Sequence, residues 1–436
     1  MTPTPMPLFQ SKKFVQVSEE SASTIASSYL DMDSFDMYQR DAWSGLVALG
    51  GVCVSVVFSV ICISFGIYFA LRKHTIYEVA LPPSWRNASF DAIPAVFSGV
   101  TVVLPTTDST KTEILSLALN LVVTGCTEST GFVHSVALKS ALAHEARLHC
   151  NTNLRLLTAA RGNAWTNSNG TLSNAFMAIL LIMSYVSSTL VFVPVQSVVT
   201  EDSLQQWWYT CTFALPLLTL GIALMLQVII AMAGISQIRV LTWSSSPLDT
   251  TAALLHHGQL TRNPGRCMHN VVDSTSYIGP RPPSERQPSA WESHPSVKKV
   301  IIVLWCLVLG CGVWGGIVGI VWVKVITSAL GPGLDSWSIF PNDRTNTVEW
   351  ITDVDPVRGF PAAGWFIIFV LFIVIQGGIT VGLHCSEVIA NVVRDEMMWR
   401  RATSKIGTKP TKNPLLTILG SWPNVSLLIA KPVLRE

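Results

Sequence analysis

The chain has 436 residues, of which 49% are hydrophobic and only 13% are charged, and its formal net charge at pH 7 is +2. Soluble globular domains carry about 25% charged residues, so this composition excludes a disordered chain, a coiled coil and an ordinary cytosolic enzyme. The small net charge gives no indication of a nucleic-acid surface, and we expect no nucleic-acid partner. The composition is typical of a multi-pass membrane protein, whose first partner is the lipid bilayer.

Residues 1–42 precede the first apolar stretch and are polar, with several acidic side chains close to the membrane. Their low hydrophobicity predicts a disordered cytoplasmic tail. The segment lacks the apolar centre of a cleavable signal peptide, so we expect the first span to direct insertion into the membrane.

Six charge-poor apolar stretches are long enough to cross a bilayer, which takes about 20 residues. Stretches of this length predict helices, because only a helix satisfies its own backbone groups across the hydrocarbon. We therefore predict an all-α polytopic transmembrane helix bundle, with spans one to four in 43–235 and spans five and six in 299–390. The six stretches lie between Asp41 and Arg72, at Ile114–Leu138, Asn174–Val195 and Thr210–Gly234, between Lys299 and Lys324, and at Gly364–Ser386.

The distribution of Lys and Arg predicts that both termini are cytoplasmic. Basic residues are concentrated after spans two and four and in the tail 391–436, whereas the loop after span three has none. Arg72 and Lys73 disagree, because they would lie outside. The alternatives are a re-entrant span two or a seventh crossing at Leu415–Ala430. That segment is short and is interrupted by Pro423, so we predict that it lies at the interface.

The loop 236–298 is the largest predicted soluble piece. A short helix is predicted from Ser246 through His257, and a Pro- and Ser-rich linker is predicted over 279–295. Strong helix formers also extend span two to about His149 and span six through Glu396, which predicts a cytoplasmic layer. In the first outer loop, Asn87 is a candidate for glycosylation.

Two groups of residues resemble a pattern found in uncharacterised multi-pass membrane proteins of mushroom-forming fungi. The first group includes Cys126-Thr127-Glu128 and Asn151–Leu156, and the second includes Pro247–Thr250 and Arg266–Met268. The resemblance covers roughly residues 113–270. Since that group has no assigned activity, the resemblance implies a membrane location and a fungal source and nothing about chemistry.

An acidic residue, Glu128, lies inside the predicted span two. An acid in a span costs about 2.5–3.5 kcal/mol and faces the bundle interior or water. At about 1.5 Å per residue, Glu128 lies about 21 Å below the outer end of its span. Gln376, Gln227 and Tyr185 lie about 18, 25 and 15 Å below the outer ends of theirs. These four residues predict a mid-membrane polar layer, which is either a substrate or proton site or a structural set of hydrogen bonds between helices.

Two histidines are predicted at similar depth near the inner face, His134 in span two and His384 in span six. They form either a cross-helix pair or two separate interfacial side chains. No Cys and His spacing fits a zinc site, and no catalytic or cofactor-binding motif is present. We therefore assign no metal, no cofactor and no catalytic residue.

Spans five and six carry glycines four residues apart, a spacing that lets helices approach closely. These glycines either pack the two spans against each other or mediate a homo-oligomer, and internal packing is favoured. We therefore expect Gly316→Leu to disturb the packing of span five. The glycines concerned are Gly312, Gly315, Gly316, Gly319, Gly378 and Gly382.

The missing catalytic motifs and the broad cytoplasmic segments favour a non-enzymatic sensor, scaffold or assembly component. Such a protein would act through a cytoplasmic protein partner, at the plasma membrane or an endomembrane. The alternative is a transporter or channel that uses the polar layer around Glu128. No inverted repeat between the two halves supports that alternative.

Overall fold

The structure is a computed structural model, and it is mostly helical. It describes residues 19–71, 100–106, 110–145, 147–148, 158–163, 167–199, 205–244, 246–257, 295–329, 362–402 and 422–433. Several parts of the sequence interpretation lie outside the described residues. They include the start of the N-terminal tail (1–18), Arg72 and Lys73, the sequon at Asn87, the segments Asn151–Leu156 and Arg266–Met268, and most of the Pro- and Ser-rich linker.

The described elements follow one another in the order helix, strand, two helices, two strands and five helices. They are α1 (Glu19–Leu71), β1 (Val100–Thr106), α2 (Thr110–His144), α3 (Thr171–Val191), β2 (Phe192–Val199), β3 (Gln205–Phe213), α4 (Ala214–Ser236), α5 (Pro247–His256), α6 (Pro295–Ala329), α7 (Ala362–Ala402) and α8 (Trp422–Val433).

Five helical segments among the described residues are long and apolar enough to cross a membrane, which makes the chain an integral membrane protein by length and composition. They are Trp43–Leu71, Thr171–Val191, Ala214–Ser236, Val297–Ile320 and Phe366–Ala402. The helix α2, which contains the predicted span two, is not among them. It is one continuous helix of 35 residues, but its sequence includes Asn120, Glu128 and His134, which lower its mean hydropathy.

Helices α1 to α4 form an antiparallel bundle. Ser55 of α1 donates a hydrogen bond to the carbonyl of Cys126 of α2 at 3.2 Å. Gln227 of α4 donates to the carbonyl of Leu180 of α3 at 3.0 Å. Nearer the opposite ends of those two helices, Ser187 and Thr219 lie 2.8 Å apart. The buried apolar core of this bundle is built around Val123, Tyr185, Leu220 and Leu224.

Glycine allows α1 and α4 to approach closely. A Cβ atom added at Gly221 of α4 would lie 2.9 Å from the carbonyl oxygen of Ser59 and 2.7 Å from Cγ1 of Ile63. At the same contact, the Ser59 hydroxyl donates to the carbonyl of Gly221 at 2.5 Å. Because Gly221 has no side chain, the backbones of α1 and α4 come close enough for the Ser59 side chain of α1 to bind the backbone of α4.

A three-stranded antiparallel sheet, ordered β1-β3-β2, lies at one end of this bundle. β2 continues directly from α3, and β3 leads directly into α4. The predicted third and fourth spans extended into these strands, to Val195 and from Thr210. The sequences FVPVQSVV and QQWWYTCTF are rich in β-branched and aromatic residues, which favour strands once the chain leaves the bundle.

Three helices lie outside the four-helix bundle. α7 packs against α3 and α6, and α8 packs against α7 and α2. Most of the described side chains of α6 are exposed, including Trp305, Leu309 and Trp314. The face that α6 presents is therefore suited to lipid.

Four helices differ in part from, or match, their predicted limits. α1 begins at Glu19, so residues 19–42, which were assigned to a disordered tail, are helical. The segment contains no Pro or Gly, and its acidic start favours a helix N-terminus. α2 ends at His144 rather than about His149, α7 continues to Ala402, and α5 lies where a short helix was predicted.

Candidate functional site

A buried lysine joins three helices. Lys431 of α8 has a side chain that is only 6% exposed. Its ammonium donates a hydrogen bond to Oε1 of Glu128 of α2 at 2.6 Å and to Oε2 of Glu387 of α7 at 3.3 Å. We call this set, together with His384, whose Nδ1 lies 3.5 Å from Oε2 of Glu387, the ammonium cluster.

The sequence of α8 explains how Lys431 reaches this position. Pro423 lies in the first turn, where the missing N–H costs no intrahelical hydrogen bond. Lys431 lies in the last turn, where a cation is favoured by the negative end of the helix dipole. The helix has 12 residues and is about 18 Å long, too short to cross a bilayer. Instead of crossing the bilayer, this helix packs against α2 and α7.

The two carboxylates keep Lys431 charged. Burial by itself lowers the pKa of the Lys431 ammonium, but the negative charges of Glu128 and Glu387 outweigh burial and hold that pKa above its ordinary value. The ammonium is therefore present throughout the physiological pH range. Lys139 of α2 also interacts electrostatically with Glu387, so Lys431 is not the only cation near this carboxylate.

Tyr185, a second residue of the predicted polar layer, contacts the residue that precedes Glu128 in the sequence. The Tyr185 side chain is buried, and its hydroxyl lies 2.8 Å from Oγ1 of Thr127, the neighbour of Glu128. Thr127 donates its own proton to the carbonyl of Thr124 at 3.0 Å. Tyr185 is therefore the donor in the bond between the two hydroxyls, and it ties α3 to α2 next to the ammonium cluster.

The remaining residues of the predicted layer, Gln227 and Gln376, are both buried. Gln227 donates to the carbonyl of Leu180, and its side-chain nitrogen lies 3.4 Å from the hydroxyl of Ser184. These contacts hold α4 against α3. Gln376 lies on α7, which packs on the other side of α3.

The two inner-face histidines contact different residues. Nε2 of His134, which is fully buried, lies 2.7 Å from Oδ1 of Asn174 at the start of α3. Asn174 in turn donates to the carbonyl of Thr158 at 3.0 Å. His134 therefore links the C-terminal half of α2 to the first turn of α3, while His384 belongs to the ammonium cluster.

The glycines of α6 and α7 have different surroundings. A Cβ atom added at Gly378 or Gly382 of α7 would lie 4.0 or 3.4 Å from the side chain of Leu307 of α6. These two glycines therefore line the contact between the helices. Within the described part of the chain, no atom lies within 4 Å of a Cβ atom added at the four glycines of α6, Gly312, Gly315, Gly316 and Gly319.

Sequence reasoning found Glu128 but missed Lys431 and Glu387. One physical signal points to Lys431, because an acid in an apolar helix favours a nearby positive charge, but this signal does not identify Glu387. Lys431 is a cation that directly follows the apolar segment Leu415–Ala430. The sequence pattern of that segment predicts an interfacial helix and gives no indication of a contact with Glu128.

The cluster is an ion-pair arrangement around the ammonium of Lys431. Among the residues that the structure describes, no three His, Cys, Asp or Glu side chains are arranged to hold a metal. Comparison with protein-family models, curated proteins and solved structures found no match to this chain.

Proposed function

We propose that the protein is a non-enzymatic membrane sensor, scaffold or assembly component with six spans and both termini in the cytoplasm. The observation that supports this function is the contact between Glu128, inside the bundle, and Lys431, near the end of the predicted cytoplasmic tail. Through this contact, the position of the tail depends on the arrangement of α2 and α7. A protein partner that binds the tail would therefore sense the state of the membrane core.

The contacts along α2 support the assignment of this helix, the predicted span two, as a membrane span in addition to the five candidates. At one end, the hydroxyls of Thr112 and Thr210 lie 2.5 Å apart beside the sheet. At the other end, His134 contacts Asn174 at the start of α3. Since α2 extends along the same length as α3, and α3 is a candidate span, α2 occupies the same membrane depth. Its polar side chains are shielded by the neighbouring helices, which explains how a less apolar helix is accommodated.

The same contacts favour a structural role for the polar layer over a transport pathway. The carboxylate of Glu128 is bound by an ammonium of the same chain, and Gln227 and Tyr185 bind groups on α3 and α2. Hydrogen bonds of this kind hold membrane helices together. A transporter or channel would instead need a hydrated route that reaches this depth.

Water access to Ser184 distinguishes the two functions. Ser184 is fully buried beside Gln227, and cysteine differs from serine only in its sulfur atom. In a full-length chain without native cysteines, we expect Ser184→Cys to resist a membrane-impermeant thiol reagent applied from either side. Reaction from either side in a folded protein would reject the packed core and favour a transporter.

The matched control is Ser236→Cys at the exposed inner end of α4. It uses the same substitution, and the proposed topology predicts that it reacts only from the cytoplasmic side. Reaction from the opposite side alone would overturn the orientation, while leaving the test of the packed core intact.

A cytoplasmic layer offers a surface for the protein partner. The Ser246 hydroxyl, just before α5, lies 3.5 Å from the sulfur of Met398 on α7. Asp249 of α5 accepts a hydrogen bond from Ser244 at 2.6 Å, which fixes the start of this helix. The short helix α5 and the end of α7 therefore belong to one layer on the side assigned to the cytoplasm.

A further inference from the structure

Four basic side chains from three segments of the chain come together on the side assigned to the cytoplasm. They are His144 at the end of α2, Arg239 in the segment after α4, and His256 and His257 at the end of α5. Nε2 of His144 lies 3.4 Å from the backbone carbonyl oxygen of Arg239. The ring centres of His256 and His257 lie 5.3 Å apart, with the rings nearly perpendicular. We call these four residues the basic cluster.

The members of the basic cluster act on one another electrostatically. His257 interacts with all three of the others. Burial, followed by the positive charges of these neighbours, holds the pKa of His257 below its ordinary value, so its ring is neutral at pH 7. Histidine side chains gain charge as the pH falls through about 6.5. Acidification therefore makes the basic cluster more positive.

The acidic side chains on the neighbouring elements bind other groups. Glu145, which follows α2, accepts hydrogen bonds from the guanidinium of Arg147 at 2.8 Å and from the backbone N–H of Arg161 at 2.6 Å. Asp249 lies at the opposite end of α5 and accepts a hydrogen bond from Ser244. None of these carboxylates is among the charges that shift the pKa of His257. The two acids of α7 closest to Met398 in the sequence pair with arginines of the same helix, Asp395 with Arg394 and Glu396 with Arg400.

The depth of the basic cluster favours a lipid phosphate as the anion that it binds. His144 lies six residues beyond the predicted end of span two, which is about 9 Å along the helix. Arg239 lies five residues beyond the predicted end of span four. The headgroups of one leaflet extend about 5–8 Å beyond the hydrocarbon, and long basic side chains reach toward them. Because Arg239 and His256 are also exposed, a headgroup has access to the cluster.

We propose that the basic cluster binds the phosphate of an anionic phospholipid in the cytoplasmic leaflet, and that this binding strengthens on acidification. A bound anion offsets the repulsion within the cluster and favours the protonated imidazoles, so protonation and lipid binding reinforce each other. Arg239 supplies a charge that persists at every physiological pH, and its guanidinium is suited to bidentate binding of phosphate oxygens. This inference rests on the proposed sensor function and its orientation, because it names an inner-leaflet lipid as what the cytoplasmic layer would detect.

A lipid titration at two pH values tests the site. The probe is dioleoylphosphatidylglycerol, whose phosphodiester keeps one negative charge, added to the purified full-length protein in detergent. The two conditions are about pH 7.5 and about pH 5.5, on either side of the ordinary pKa of histidine. We expect the lipid to raise the Tm saturably. Half of the gain should be reached at an about fivefold lower lipid fraction at the lower pH, the factor for one additional charge near an anionic surface. Dioleoylphosphatidylcholine, which has no net charge, should show no such pH dependence.

Two variants and a matched control assign the effect to the basic cluster. His144→Gln/His256→Gln/His257→Gln should require the same lipid fraction at both pH values. Arg239→Gln should require about fivefold more lipid at both. Arg401→Gln, which removes another exposed arginine at the end of α7, should behave as the wild type does. An unchanged pH dependence in the histidine variant would overturn the proposal, as would equal weakening by Arg239→Gln and Arg401→Gln.

Dimethyl phosphate distinguishes a lipid from a soluble phosphate, because it carries the same charged group without acyl chains. We expect it to give no saturable gain in Tm. A gain as large as that from the lipid would overturn the lipid assignment and identify a soluble phosphate as the ligand.

Failure of the lipid site and failure of the proposed function give different results. No effect of phosphatidylglycerol, with the expected labelling of Ser184→Cys and Ser236→Cys, would reject the site and retain the function. Labelling of Ser236→Cys from the opposite side alone would reject the cytoplasmic leaflet as the source of the lipid, whereas the titration in detergent would still measure binding at the cluster.

Discussion

The four-helix bundle α1–α4 and the peripheral helix α6 use glycine in different ways. At Gly221 of α4, a Cβ atom would lie within 3.0 Å of backbone and side-chain atoms of α1. At Gly316 of α6, nothing in the described chain lies within 4 Å of that position. In the apolar window of α4, 44% of the residues are buried, against 6% in that of α6. A spacing of four residues between glycines therefore does not by itself show that a second helix packs against them.

The largest effect that separates the two regions is expected for Gly221→Leu. The leucine side chain would meet the Ser59 carbonyl and the backbone of Ile63, which cannot move as the end of a flexible side chain can. Overpacking costs about 1–3 kcal/mol and more where the backbone must shift. We expect a clear loss of Tm for the purified protein in detergent.

Gly50→Leu on α1 is the control for that substitution. No atom of the described residues lies within 4 Å of a Cβ atom at Gly50. Replacement of a helical glycine also gains up to about 1 kcal/mol of helix propensity. The control should be neutral or stabilising, and equal losses for the two variants would contradict close packing between α1 and α4.

A smaller effect is expected for Tyr185→Phe, which tests the polar contacts of the same bundle. The substitution removes the hydroxyl that donates to Thr127, but Thr127 still donates to the carbonyl of Thr124. Because the remaining Thr127 hydroxyl keeps a partner, the free energy of unfolding should fall by only about 0.5–1.5 kcal/mol.

A double-mutant cycle with Thr127→Val measures this contact. If Tyr185 binds Thr127, the combined loss should be smaller than the sum of the two single losses. Strict additivity would show that the tyrosine hydroxyl stabilises α3 through another group.

The apolar spans were predictable because each leaves a long signal in the sequence. The five candidate spans match five of the six predicted apolar stretches, although β2 and β3 shorten two of them. The sheet was missed because its strands continue apolar stretches that begin in helices. At Phe192 the hydropathy does not change, whereas the backbone becomes extended.

The candidate site was only half predictable. Glu128 stood out because an acid in an apolar stretch is costly, and that cost can be recognised within one segment of sequence. Its pairing with Lys431 depends on contact between α2 and the helix at the opposite end of the chain. Such a contact has no local signal, because neither helix alone determines which face it presents to the other. The resemblance to fungal membrane proteins and the alternative of a homo-oligomer are tested by none of these observations.

The smallest effect is expected for Gly316→Leu, which defines the other side of the comparison. The sequence pattern favoured a packing role for Gly316, but the structure leaves this position open, so the free energy of unfolding should change by less than about 0.5 kcal/mol. Gly382→Leu is the matched substitution at the α6–α7 contact, where Leu307 lies 3.4 Å from the added Cβ, and it should be more destabilising.

Oligomeric state should be measured for Gly316→Leu and Gly382→Leu by light scattering that accounts for bound detergent. If Gly316→Leu leaves the stability and mass unchanged, the glycine face of α6 contacts lipid. If it converts a wild-type oligomer to a monomer, the face of α6 is an interface between two copies of the chain, and its glycines act between molecules as Gly221 acts within one.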